Sequence, residues 1–294
     1  MKARGVIFRG ETRILDGSAR ASAPGEFVQL TEGRVHYELG GPPSSRTVVL
    51  VPGLSVPYAI WDPTFAFLAS AGLRVMRYDL YGRGYSDRPD TRYDQDLMDQ
   101  QLLELLNVLK IDETDLVGLS LGGAISSVFT ARHPERVRRL CLIDPAGMPW
   151  KLDLQARLAK APIVGEWIMG YMGDKRLVSN LAGYFYGQVE YEDLKRAFLE
   201  QMKFVGYKRA ILSTLRSGVR TGALEAYRRV GQLEHPVMLI WGREDHVIPF
   251  ELGRVIRDLI PRAEFHPIDR AAHIPHYQYP EIVNPILLDF LSKK

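Results

Sequence analysis

The sequence predicts an α/β fold, with a mostly parallel central sheet flanked by helices. Three observations lead there. Short, continuously apolar runs of strand length recur, as in Val48-Val49-Leu50-Val51 and Val237-Met238-Leu239-Ile240-Trp241, and such runs are expected where helices cover both faces of a sheet. Helical patterns separate several of these runs, and strands alternating with helices imply parallel pairing. One stretch, about 148–231, breaks the alternation and looks helical throughout.

The elements follow in chain order. Residues 1–25 mix Gly, Arg, Ser and Ala without periodicity and are expected to form a loose N-terminal extension. Phe27-Val28-Gln29-Leu30 and Val35-His36-Tyr37-Glu38 flank Thr31-Glu32-Gly33-Arg34 and read as a hairpin. Apolar strands follow at Val48 to Val51, Arg74 to Tyr78, Asp115 to Val117, Leu140 to Ile143 and Val237 to Trp241. Leu102, Leu105, Leu106 and Leu109 form one helical face, and a helix from Ala124 to Arg132 stops before Pro134. The expected organisation is a core of 26–147 and 232–294, with 148–231 inserted after the sixth strand as a helical cap. That insert holds Trp150, Trp167, Met169, Tyr171, Met172, Tyr184, Phe185 and Tyr186. They read as packing between cap and core, or more sharply as a lid that touches substrate.

Composition narrows the classes. With 294 residues, 46% hydrophobic and 25% charged, the chain is neither disordered nor fibrous and has room for a large core. Lys and Arg number 38 against 35 Asp and Glu, with no block of like charge, so no nucleic-acid partner is expected. Arg136, Arg138 and Arg139 read as a solvated cluster. The one cysteine, Cys141, falls in an apolar strand, which excludes an internal disulfide framework and fits a reducing compartment. No run approaches the roughly 18 apolar residues of a membrane helix, and the N-terminus has no apolar stretch of signal-peptide length. The expected location is cytoplasmic, without stable membrane insertion.

The chemistry concentrates at Leu116-Val117-Gly118-Leu119-Ser120-Leu121-Gly122-Gly123-Ala124. A buried strand runs through Gly-x-Ser-x-Gly into a helix. Such a turn must be very tight, and residues without a β-carbon on either side of the serine let it close. It lifts the hydroxyl above the sheet edge at a helix N-terminus, where N–H groups and the helix dipole favour negative charge.

With these residues in view, the chain from about Phe27 onward resembles the α/β-hydrolase superfamily, in its capped serine esterase and lipase branch. Tyr78 to Pro89 is similar to the family's D-x-x-G-x-G-x-S turn, whose aspartate, here Asp79, is structural. Trp241-Gly242-Arg243-Glu244-Asp245-His246-Val247-Ile248-Pro249 resembles the loop of the triad acid, and Ala272-His273-Ile274-Pro275-His276 that of the triad histidine. The resemblance implies an α/β-hydrolase fold and a triad of Ser120, Asp245 and His273, in the chain order that this fold uses. His246 and His276 are rival bases, and Asp144, at the end of its strand, is a rival acid. The resemblance also implies an oxyanion hole from the Leu121 and Leu54 N–H groups. Pro52-Gly53 stands where many members have His-Gly, which removes hydrogen bonding that normally braces this loop, and Gln278 stands where a glutamate is frequent.

A serine at position 120 excludes the branches that use an aspartate nucleophile. His273 and His276 lie three apart in a proline-containing loop with no Cys or acidic cluster beside them, so no metal site is expected, and no cofactor. The expected activity is cleavage of a small-molecule carboxylic ester, short-to-medium acyl or aryl, by a carboxylesterase or lipase through an acyl-Ser120 intermediate. The alternatives are a carbon–carbon bond hydrolase of the meta-cleavage-product type, and a ligand receptor on the same fold. The carbon–carbon hydrolases act on vinylogous diketo acids and usually need a cation for the substrate carboxylate; insert arginines such as Arg157 or Arg176 offer one, and read equally well as surface residues.

Overall fold

The computed structural model describes residues 7–149 and 160–293; Trp150 and Arg157 lie outside them. Eight strands form one sheet: β1 Glu26–Leu30, β2 Gly33–Gly40, β3 Thr47–Val51, β4 Arg74–Tyr78, β5 Thr114–Leu119, β6 Val137–Ile143, β7 Val237–Gly242 and β8 Glu264–Ile268. Their spatial order is β1-β2-β4-β3-β5-β6-β7-β8. β1 and β2 pair antiparallel as the expected hairpin, β2 pairs antiparallel with β4, and every later pairing is parallel. This is the α/β-hydrolase fold. Among the described residues the helices are α1 Gly17–Ala21, α2 Asp62–Ser70, α3 Gln95–Val108, α4 Leu121–Arg132, α5 Val164–Tyr171, α6 Gly173–Ala182, α7 Glu192–Met202, α8 Tyr207–Arg216, α9 Leu224–Gln232, α10 Glu251–Leu259, α11 Pro275–Gln278 and α12 Pro280–Ser292.

Strand side chains alternate between faces, and both faces are buried. Val49, Val51, Leu116, Leu140, Leu142 and Leu239 join the core under α3, α4, α9 and α10. Val48, Leu50, Val117, Cys141, Ile143 and Ile240 join the core under α2, α12 and the inserted helices. This explains why β3, β5, β6 and β7 read as unbroken apolar runs. Cys141 is fully buried, and burial pushes its thiol well up, as an inert core thiol requires. α3 starts where the Asp94 carboxylate accepts the Leu97 N–H at 3.1 Å.

β8 is absent from the sequence-based list of strands. Its residues are Glu264-Phe265-His266-Pro267-Ile268, which are neither apolar throughout nor alternating. It lies at the sheet edge, and a proline without an N–H is tolerated there because only one side of the strand needs a ladder.

Between β6 and β7 the described residues form helices and the loops that join them, and no strand of the sheet. Leu177, Leu181, Phe185, Leu194, Phe198 and Tyr207 fasten α6, the loop after it, α7 and α8 onto one core. α9 differs, because Tyr227 and Val230 sit in the other core and the helix packs on α4. The aromatic and methionine residues of the insert divide: Met169 and Phe185 are buried, while Trp167, Tyr171, Met172 and Tyr186 are exposed.

Residues 7–25 are not loose. The Thr12 and Arg13 N–H groups donate to the Lys203 carbonyl at 2.8 and 2.9 Å, and the Arg13 carbonyl accepts from Val205 at 2.8 Å. Buried Glu11 accepts the Lys208 N–H at 2.8 Å, and the buried Lys208 ammonium pairs with Asp174 at 2.7 Å. The arm therefore straps α6 and α8.

α11 carries His276 into the interior, its ring 4.4 Å from that of Trp61. Burial pushes its pKa down to about 3. The folded ring stays neutral, whereas the unfolded ring takes up a proton below about 6.5. Acidification below that value therefore destabilises the fold, by about 2 kcal/mol at pH 5. Urea unfolding of the wild type and of His276→Gln at pH 7.5 and 5 should show the wild type losing that much more stability. Equal losses would contradict a neutral buried ring.

Candidate active site

β5 delivers Ser120 to the carboxyl edge of the sheet. Ser120 has φ +54° and ψ −117°, a conformation that side-chain-bearing residues rarely adopt. A Cβ on Gly118 would stand 2.5 Å from the Gly122 carbonyl oxygen, one on Gly122 would strike the Val51 carbonyl, and one on Gly123 would stand 2.5 Å from Pro145. The turn is tied from both sides: the Ser120 N–H donates to Ile143 at 2.9 Å, and the Ser120 carbonyl accepts from Gly123 at 2.9 Å and Ala146 at 2.8 Å. Leu121 opens α4, where an N–H has no acceptor within its own helix.

Asp245 follows β7 and His273 follows β8, so parallel pairing brings both to the edge that holds Ser120. The His273 Nδ1 lies 2.8 Å from Asp245 Oδ2, and both side chains are buried. Asp245 Oδ1 accepts the N–H groups of Val247 at 2.7 Å and Ile248 at 3.0 Å, which fixes the carboxylate. The His273 N–H donates to the Tyr184 carbonyl at 3.0 Å, and the Tyr184 ring meets the imidazole edge-on at 5.2 Å. Such a group can deliver a hydroxyl nucleophile, a base aimed by a carboxylate, and N–H donors for an oxyanion.

The rivals separate by position. His276 is buried against Trp61 and does not line the cavity at Ser120, whereas the exposed His246 does. Asp144 lies fully buried at the end of β6 with φ +42°, accepting the Gly242 N–H at 2.9 Å. Burial, and then the neighbouring Asp245 charge, push its carboxyl well above the ordinary carboxylate range. Asp144, Asp245 and His273 bring ligand atoms within 4.8 Å of one another. Asp245 already commits one oxygen to the Val247 and Ile248 N–H groups and the other to His273, so the set suits a cation badly.

Asp79 is buried away from Ser120. It accepts the Tyr58 N–H at 2.7 Å, the Tyr85 N–H at 3.0 Å and His36 Nδ1 at 2.7 Å. Burial alone would raise its carboxyl, but the His36 ring and these N–H groups outweigh it and hold the carboxyl below its ordinary value. A Cβ on Gly84 would collide with that carboxylate, which explains the glycine of the turn. Gln278 clasps the insert: its Oε1 accepts the Tyr186 N–H at 3.0 Å and its Nε2 donates to the Tyr186 carbonyl at 2.7 Å. A glutamate could make only the first of these bonds.

Ser120, Leu54 and His273 line one cavity of about 460 Å³, closed over by α5, α6 and α8. A Cβ on Gly53 would stand 3.5 Å from that of Ser120, so the loop carrying Leu54 packs on the serine. Several polar lining residues escaped the sequence reading: Ser55, whose hydroxyl lies 3.2 Å from the Tyr184 hydroxyl, along with Lys160, Asn180 and Arg220. They come from loops and helix ends, where no motif or periodicity singles out one residue. Arg176, named from sequence, lines the same cavity.

The chain matches the alpha/beta hydrolase family over residues 48–286 and belongs to it. It is 29% identical to a 2-hydroxymuconate semialdehyde hydrolase from Pseudomonas sp. strain CF600, over 82% of this chain and 84% of that one. It is 30% identical to a 2-hydroxy-6-oxo-2,4-heptadienoate hydrolase from Pseudomonas putida, over 82% of this chain and 87% of that one. Its fold superposes on a meta-cleavage product hydrolase from Pseudomonas fluorescens with a TM-score of 0.77, at 24% identity over 91% of this chain and 97% of the other. No helix among the described residues is long and apolar enough to cross a membrane.

The geometry at Asp144 and Asp245 yields a comparison. Asp245→Asn should lower kcat by about a thousandfold or more, because the amide no longer stabilises a protonated imidazole. Asp144→Asn, which keeps an oxygen to accept the Gly242 N–H, should stay within about tenfold of wild type. Steady-state kinetics at pH 7.5 check both, and the opposite ranking would make Asp144 the acid.

Proposed function

We propose that this chain hydrolyses a carbon–carbon bond in small, carboxylate-bearing vinylogous diketo acids, with Ser120 as nucleophile. The observation that carries the proposal is the cavity lining. Ser120 and His273 share their space with Arg176, Arg220 and Lys160, among apolar side chains such as Ile168, Leu177 and Ile211. Burial holds Arg220 below its ordinary value; burial and then the nearby Arg220 do the same to Lys160. A substrate carboxylate would relieve both, because an opposite charge offsets desolvation. The names of the two Pseudomonas relatives favour the same substrate class.

In this proposal Ser120 attacks the ketone carbonyl while His273 takes its proton and Asp245 stabilises the imidazolium. The N–H groups of Leu54 and Leu121 receive the oxyanion. Collapse of the tetrahedral adduct breaks the carbon–carbon bond. The 2-hydroxydienoate reacts as its diketo tautomer, the 2-hydroxyl proton having moved to the carbon beside the ketone. The released electron pair therefore spreads through the C=C bond to the 2-carbonyl as a dienolate, which takes the proton back from His273. Water then frees the acyl group from Ser120 by the reverse proton path. Cleavage of a neutral carboxylic ester, the first expectation from sequence, would use the same groups. The apolar share of the cavity supports it, but a neutral ester carries no carboxylate for the cations of the lining to bind.

The test is turnover of 2-hydroxy-6-oxohepta-2,4-dienoate beside 4-nitrophenyl butyrate. Ser120→Ala should lose about a thousandfold or more on both. Arg220→Gln should raise KM for the dienoate by about 10- to 100-fold, the range of a charge-assisted hydrogen bond, and leave the ester within about threefold. Ester turnover that depends on Ser120, with no action on the dienoate, would overturn the carbon–carbon proposal in favour of the esterase.

A further inference from the structure

The loop after β3 has little of its own to hold it. Pro52 has no N–H to donate, Gly53 brings no side chain, and the expected His-Gly bracing is absent. Yet the Leu54 and Ser55 carbonyls are both pinned. Leu54 O accepts the Arg83 Nε–H at 2.8 Å. Ser55 O accepts from Gln201 Nε2 at 2.7 Å and from the Tyr207 hydroxyl at 2.9 Å. Gln201 lies on α7 and Tyr207 on α8, so two of the three donors come from the inserted helices.

Arg83 is tied to the same cover. Besides Leu54 it donates to the Tyr81 carbonyl at 2.9 Å and to the Thr214 hydroxyl of α8 at 2.8 Å. Gln201 in turn accepts the Gly84 N–H at 2.8 Å. Arg83, Gln201 and Tyr207 are all fully or almost fully buried, where hydrogen bonds are strong and a missing partner is costly. With its carbonyl pinned on one side and Gly53 packed on Ser120 on the other, Leu54 cannot swing.

Given Ser120 as the nucleophile, as proposed above, we propose that the oxyanion-hole loop is held in its working geometry from the cap, with Arg83, Gln201 and Tyr207 as positioning residues. None of the three needs to touch substrate. Their effect is to aim the Leu54 N–H, so their loss should weaken the transition state and spare ground-state binding. A purely structural role would lower stability and leave the rate of the folded enzyme unchanged.

A fluorophosphonate tests this without knowledge of the natural substrate. The Ser120 oxygen attacks phosphorus, fluoride leaves with the P–F electron pair, the serine proton passes to His273, and the phosphoryl oxygen loads the oxyanion hole. Labelling is followed by intact mass against inhibitor concentration, which separates kinact from KI, and melting curves confirm folding. Tyr207→Phe, which removes one hydroxyl, should lower kinact by about fivefold, the worth of one net hydrogen bond. Tyr207→Phe combined with Gln201→Glu should lower it by about a hundredfold, the cost of a lost oxyanion donor. KI should stay within about twofold in each. Arg83→Lys, which keeps the charge and loses the fork, should also lower kinact. If the folded variants keep wild-type kinact, or if only KI rises, the bracing role is overturned while Ser120 stands. If the wild type is not labelled, or Ser120→Ala is labelled equally well, the nucleophile assignment falls and the bracing with it.

Discussion

The strand-to-helix turn at Ser120 is the constraint on which the rest of the site depends. A serine at φ +54° and ψ −117° holds roughly 1–3 kcal/mol of backbone strain, and it persists only where the surroundings over-determine it. Here they do. Gly118, Gly122 and Gly123 let β3, α4 and Pro145 close on the turn, and hydrogen bonds to Ile143, Gly123 and Ala146 lock it. The reward is a hydroxyl raised above the sheet edge at a helix N-terminus. Every parallel strand ends at that edge, so the loops after β3, β7 and β8 can bring Leu54, Asp245 and His273 to one place.

The groups around the turn are positioned by very different means. Asp245 is fixed locally, by N–H groups two and three residues ahead of it. His273 is held by Asp245 on one side and by the Tyr184 carbonyl of the insert on the other. The loop of Leu54 depends on donors more than a hundred residues away in sequence. The inserted helices are therefore more than a cover. They line the cavity, touch the histidine and brace the loop, and the N-terminal arm straps them through Glu11 and Lys208.

What the sequence made legible divides along the same line. Unbroken apolar strands and the Gly-x-Ser-x-Gly turn are local signals, because burial on two faces and a tight turn each dictate residue types over a few positions. They pointed to the parallel sheet and to Ser120, whereas the loops of Asp245 and His273 were named through the resemblance to the family. β8 escaped because an edge strand may carry Glu, His and Pro without penalty. The order of residues 7–25 escaped because it rests on backbone pairing with 203–205, which leaves no periodicity. Arg220, Ser55 and the bracing by Arg83, Gln201 and Tyr207 arise from tertiary proximity alone. Asp144 could be named from sequence as a rival acid, but the upward push on its carboxyl follows only from its burial beside Asp245.

Under the proposed mechanism Ser120 becomes acylated during cleavage of a carboxylate-bearing diketo acid. Rapid mixing with 2-hydroxy-6-oxohepta-2,4-dienoate, acid quench within milliseconds and peptide mass spectrometry test it most directly. A transient acetyl group is expected on the peptide containing Ser120, appearing as dienolate is released and decaying with turnover. Steady turnover of the dienoate with that peptide unmodified at every quench time would contradict it.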